Sequence, residues 1–182
     1  MHFSLYHTIQ PLAPDAINLV SVDSMRVISH AIEDVVLHHS QGAVLSAGFQ
    51  RTSFFRLQEA RYRSLARVCS AISVYAVSDI HAPAIEPITY VSLAPESPLA
   101  REWFLVVNTP DFACALVAQE VEGPLSAPRR FQALFLTDGD TIDDIEMIPL
   151  WLGGRFDRGM VGHALAAVTL GPVPEDVPHE GA

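Results

Sequence analysis

Residues 42–77 read GAVLSAGFQRTSFFRLQEARYRSLARVCSAISVYAV, and the fold turns on this stretch. Gly42 opens a short apolar run, Ala43 to Phe49, that reads as a buried strand. Leu57 to Ser70 changes to helical spacing through Ala60, Leu65, Ala66 and Cys69, and Ile72 to Val77, rich in β-branched and aromatic residues, returns to a strand. A strand, a helix and a second strand in this order imply two parallel strands with a right-handed crossover.

On the N-terminal side, Asp23 to His39 carries Met25, Ile28, Ala31, Ile32, Val35 and Val36 at helical spacing, with Asp23 or Ser24 as the expected N-cap. On the C-terminal side, Pro83, Pro87, Pro95 and Pro98 punctuate a stretch that holds one strand at Ile88 to Leu93. Trp103 to Val107 and Ala113 to Val121 are two further strands. The short Asn108-Thr109-Pro110-Asp111 link makes them an antiparallel pair, and Phe131 to Leu136 follows as another strand. The fold class is therefore α/β: a single domain whose mixed β-sheet combines a strand-helix-strand unit with later antiparallel strands, packed by helices. Asp140 to Leu150 reads as a helix with acids in its first turn, and a short helix is expected around Met160 to Val168. Residues 1–168 form the expected domain, and residues 169–182, rich in proline and acid, form a flexible tail.

Composition narrows the function classes. An apolar fraction of 49% with 18% charged residues belongs to a packed globular chain. The net charge is −10 and all basic residues are arginine, with no basic surface suited to phosphate backbones, so nucleic acid is not an expected direct partner. No lysine is present for Schiff-base chemistry or for a phosphate-binding loop, and no Gly-rich phosphate loop occurs. Cys69 and Cys114 stand far apart among apolar or small neighbours, which fits buried thiols in a reducing compartment. No leader or membrane span is evident, and the expected location is the cytoplasm.

Several constellations invite chemistry. His30, Asp34 and His38 share one helix face, but three ligands along one helix span too far for a single ion, and with Glu33 that face reads as a solvated partner or dimer contact. Asp138, Asp140, Asp143, Asp144 and Glu146 crowd together, yet a calcium loop starting at Asp138 would place Asp143 where glycine is needed and Pro149 where glutamate is needed. Ser46 lacks the preceding glycine of a hydrolase elbow, and no nucleophile, metal or cofactor signature is found. More suggestive is Phe49-Gln50-Arg51-Thr52-Ser53-Phe54-Phe55, polar groups among aromatics at the carboxyl end of a parallel strand, where open α/β sheets place ligand sites. Gln50, Arg51 and Arg63 are candidate contacts to a ligand or partner, set against the plainer reading of Phe49 in the core and arginines paired with Glu59. Trp103 is a candidate pocket wall, and Glu120, inside an apolar strand, requires a partner for which an arginine is the natural choice.

Several motifs, in order, resemble the DICT domain, named from its occurrence with diguanylate cyclases and two-component systems. They are Ile28-Ser29-His30-Ala31-Ile32-Glu33-Asp34, Gly48-Phe49-Gln50-Arg51 with Phe54 and Phe55, Ala60 to Ala66, Arg101-Glu102-Trp103-Phe104, Pro110-Asp111-Phe112, Glu120 and Arg129-Arg130-Phe131. The resemblance spans about Asp23 to Leu150 and implies a sensory module of bacterial signalling proteins and transcription regulators, with suspected links to light responses. It brings no catalytic residues, and the cofactor, if any, is left open. No kinase, cyclase or DNA-binding segment accompanies the motifs, so the expected partner is a signalling or transcription-regulatory protein acted on in trans, with a homodimer as a further possibility. The expected site comprises Phe49, Gln50, Arg51, Arg63, Trp103 and Glu120. Two rivals stand beside it: a ligand-free adaptor, and a small enzyme using His30 with Glu33 or Asp34 as acid and base.

Overall fold

In the computed structural model, which describes residues 3–124 and 126–137, the apolar runs become the strands of one mixed sheet. In chain order the principal elements are helix α1 (Leu5–Ile9), strand β1 (Asn18–Ser21), helix α2 (Val22–His39), strand β2 (Ala43–Arg51), helices α3 (Thr52–Arg56) and α4 (Glu59–Leu65), and strands β3 (Cys69–Val77), β4 (Ile88–Ser92), β5 (Glu102–Asn108), β6 (Ala113–Glu120) and β7 (Arg130–Leu136). The seven strands lie in the order β1-β7-β6-β5-β2-β3-β4. β2, β3 and β4 are parallel, and every other pairing is antiparallel. The expected mixed sheet and its parallel unit are both present. The helices expected at Asp140 to Leu150 and Met160 to Val168, the acidic cluster and the tail at 169–182 lie outside the described residues.

Local boundaries differ from the sequence reading for identifiable reasons. The crossover is two short helices rather than one long one, because β3 begins at Cys69, where pairing with Ala43 takes over the backbone. α2 starts one residue before Asp23, and its N-cap is Ser21, whose Oγ accepts the Ser24 N–H. α1 and β1 escaped the sequence reading. α1 is only five residues long, and β1 is largely exposed, so neither shows a clear period. The carboxylate of Glu102 fixes α1: its Oε1 accepts the Ser4 hydroxyl at 2.6 Å, and its Oε2 accepts the Leu5 and Tyr6 N–H groups at 3.1 and 3.2 Å. Glu102 is fully buried, and burial raises its pKa while these donors hold it down. Among the described residues, no helix is long and apolar enough to cross a membrane.

Period-two alternation gives the sheet two buried faces. On one, Leu45, Ala47, Ile72, Val74, Leu105 and Leu116 pack beneath α2, α3 and α4 through Met25, Ile32, Val36, Phe55 and Tyr62. On the other, Tyr75, Phe104, Val106, Ala115 and Val117 pack beneath Leu5, Tyr6 and Ile9 of α1. β5 is covered on both sides, which is why it reads as an unbroken apolar run. Gly48 stands opposite Phe104 in the β2–β5 ladder, and the Phe104 ring occupies the space that a side chain at 48 would need. Gly48→Ala is therefore expected to lower unfolding free energy by about 1–3 kcal/mol through overpacking. Urea denaturation is the check, and an unchanged midpoint would show that the ring yields without cost.

Candidate functional site

At the carboxyl end of β2 the ladder to β3 slips between Gly48 and Gln50. Phe49 is the extra residue of this bulge, and Gln50 adopts a left-handed backbone with φ 61°, uncommon for a residue with a side chain. The irregularity leaves Phe49 half-buried, edge-to-face with Phe55 and Tyr62 at ring separations of 5.3 Å, and Gln50 buried. Between this bulge, α2 and α3 lies a cavity of about 210 Å³. Its walls combine Phe49, Gln50, Phe54, Trp103 and Phe104 with Ser29, His30 and Glu33 of α2, Leu57 and Gln58 after α3, and Arg129. The apolar bulk comes from the sheet and α3, and the polar atoms come mainly from α2 and Arg129.

Three polar assemblies hold these walls. Arg129 donates Nε to Glu120 Oε1 at 2.6 Å and Nη2 to Glu120 Oε2 at 2.9 Å, and Nη2 also donates to the side-chain Oε1 of Gln50. Its guanidinium sits 5.6 Å from the Phe54 ring centre and 5.5 Å from that of Phe131, adding cation–π attraction. The Trp103 indole N–H donates to Ser29 Oγ at 3.2 Å, while His30 Nε2 and Gln58 Oε1 lie 2.9 Å apart. Behind α2, Arg61 bonds Glu33 through Nε and reaches the His30 carbonyl and Asp34 Oδ1 through Nη2, each at 2.6 Å. Burial pushes the Glu33 carboxyl up against the pull of Arg61, whereas the Arg61 hydrogen bond holds exposed Asp34 down.

Phe49, Gln50 and Trp103 thus meet at one cavity, and Glu120 joins them through Arg129 and Gln50. Arg51 does not join them: it is exposed at the end of β2. Arg63 does not either, because it pairs with Glu59 one turn back at 2.7 Å, the plainer of the two readings. The helix face of His30, Glu33, Asp34 and His38 is split rather than uniformly solvated. Asp34 and His38 are exposed, Glu33 is 3% exposed because it turns inward to Arg61, and His30 lines the cavity. The sequence reading missed Arg129 as a site residue, although it stood within a quoted motif. It also missed Ser29, Phe54, Leu57 and Gln58, whose roles depend on packing between segments. Cys69 and Cys114 are buried thiols, pushed up to about 11 by burial.

Opposite pH dependences follow for two glutamates. Arg129 holds the Glu120 carboxyl below its usual value, so the stability it contributes is full above that usual value and is lost as pH falls through the lowered one. Glu33 is raised, so its contribution is full below the usual value and is lost as pH rises through the raised one. Urea unfolding of wild type, Glu120→Gln and Glu33→Gln across acidic to neutral pH should show the wild-type advantage over Glu120→Gln shrinking on acidification. The wild-type advantage over Glu33→Gln should shrink on alkalinisation. Parallel profiles would mean that neither group is perturbed by its partners.

The profile of the DICT family, described as "Sensory domain in DIguanylate Cyclases and Two-component system", matches residues 3–121. Searches among curated proteins and among solved structures return no match. The matched segment runs from the residues that lead into α1 to the residue after β6, and so includes the bulge, α2, Trp103 and Glu120. The chain belongs to the DICT family of sensory domains.

Proposed function

We propose that the chain is a non-enzymatic sensor that takes its signal as a small molecule in the cavity beside β2 and passes occupancy to a signalling or transcription-regulatory protein in trans. The observation that carries this reading is the cavity of about 210 Å³, walled by aromatics and crossed at one side by Arg129. Arg129 bonds Glu120 at the end of β6 and immediately precedes β7. A ligand that competes for Gln50 or displaces Arg129 therefore perturbs the β6–β7 connection, a route from pocket to surface. Gln50 supports the reading: its left-handed backbone is a local strain of the kind that persists where surrounding structure holds a side chain in place. Partner or dimer contact falls to the outer ridge of α2, where Val27 and Val35 are 68% and 41% exposed beside Asp34 and His38. Two buried free cysteines suit a reducing, cytoplasmic setting.

The same exposed ridge favours a second reading, a ligand-free adaptor that docks through α2. The enzyme reading has less support, because the Glu33 and Asp34 carboxylates are both bonded by Arg61 and the His30 ring is bonded by Gln58.

Native mass spectrometry of protein purified from its host separates the first two readings. The expected result is an adduct mass that vanishes on denaturation and is lost in Trp103→Ala while that variant's unfolding remains cooperative. An apo mass with a co-purifying chain, retained by Trp103→Ala and lost in a charged Val27→Glu variant, would establish the adaptor instead.

A further inference from the structure

Resting on the reading of the cavity as the signal site, we infer that its ligand is an uncharged, planar aromatic molecule of one or two fused rings bearing a hydrogen-bonding substituent. Size sets the first limit. A closed apolar cavity of about 150 Å³ accepts benzene, and the present cavity of about 210 Å³ adds room for a substituent or a second ring. A molecule of tetrapyrrole or dinucleotide size would extend beyond it into solvent.

Wall chemistry sets the second limit. Phe49, Phe54, Tyr62 and Trp103 line the space, and aromatic partners gain from edge-to-face and offset contacts with such rings beyond the area they bury. Phe54 and Leu57 are 38% and 80% exposed while also lining the cavity, so a bound ring would cover apolar surface that otherwise faces water.

Charge sets the third. Each ionic side chain on the wall already faces an opposite charge: Arg129 meets Glu120, Glu33 meets Arg61, and Arg26 meets Asp23 at 3.1 Å. An anionic or cationic ligand would enter without an uncommitted counter-charge and would have to leave its hydration behind. Neutral hydrogen-bonding groups are available instead. Ser29 accepts from the Trp103 indole and retains its own hydroxyl proton, and the half-buried His30–Gln58 pair can open to admit a donor or an acceptor.

Four probes on one bicyclic carbon skeleton test the inference on the full chain at neutral pH: naphthalene, 2-naphthol, the anionic 2-naphthoate and the saturated, non-planar decahydro-2-naphthol, followed by calorimetry and ¹H–¹⁵N NMR. 2-Naphthol should shift the Trp103 indole and the Ser29 and Gln50 amides, and bind about tenfold or more tightly than 2-naphthoate or decahydro-2-naphthol. Ser29→Ala should weaken 2-naphthol several-fold yet leave naphthalene unchanged, a contrast that a general loss of fold would not give. Equal or tighter binding of 2-naphthoate or of the saturated analogue at those resonances would overturn the ligand class while leaving the cavity as the signal site. Absence of shifts there for all probes up to their solubility would overturn the inference together with the cavity reading.

Discussion

β2 depends on two different neighbours, β3 running parallel on one side and β5 antiparallel on the other, and the rest of the molecule is arranged by that double pairing. Because β2 and β3 are parallel, the chain between them must cross a face of the sheet, and this crossing carries α3 and α4 over it. Because β5 is antiparallel, the Phe104 ring lies across Gly48 and fills the opposite face there. The two pairings fall out of step at Phe49, where the β3 register slips just after the last β5 pair at Gly48. The cavity lies at this slip, so it is a consequence of sheet construction rather than an ornament of a loop.

The ionic groups around the cavity are engaged with opposite charges, and this decides what they can do. Arg129 bridges β6, β2 and two aromatic rings at once, so its charge meets a carboxylate and two ring faces while its side chain stays partly exposed. Arg61 performs the same service for Glu33, Asp34 and the His30 carbonyl on the far side of α2. Removing a single partner from such a cluster leaves a charge without its match in a partly desolvated place. Altering one bond of such a cluster disturbs several strands at once.

Much of this was legible from one-dimensional pattern, and the exceptions share a cause. The strand-helix-strand unit is visible because Ala43–Phe49 and Ile72–Val77 carry apolar, β-branched runs on either side of a helical period. Phe49, Gln50 and Trp103 stood out because polarity and aromatics meet where a strand ends, and Glu120 declared its need for an arginine. What stayed hidden depends on distance along the chain. Arg129 meets Gln50 across 79 residues, Arg61 turns Glu33 inward across 28, and Glu102 orders α1 across 97. Without Arg61 in view, Glu33 reads as part of a solvated helix face, and without Glu102 the short α1 has no sequence signal strong enough to stand alone.

At the end of β2 stands a largely apolar receptacle, open to solvent on the Phe54 and Leu57 side. Diffraction from crystals pressurised with xenon tests it most directly, since that gas enters dry apolar cavities and leaves wet polar ones to their water. The expected result is a xenon peak in van der Waals contact with Phe49, Phe54 and Trp103 and unshifted Arg129 and Gln50 side chains. Ordered waters hydrogen-bonded to Gln50 and Ser29 in its place, with no xenon between the rings, would contradict it.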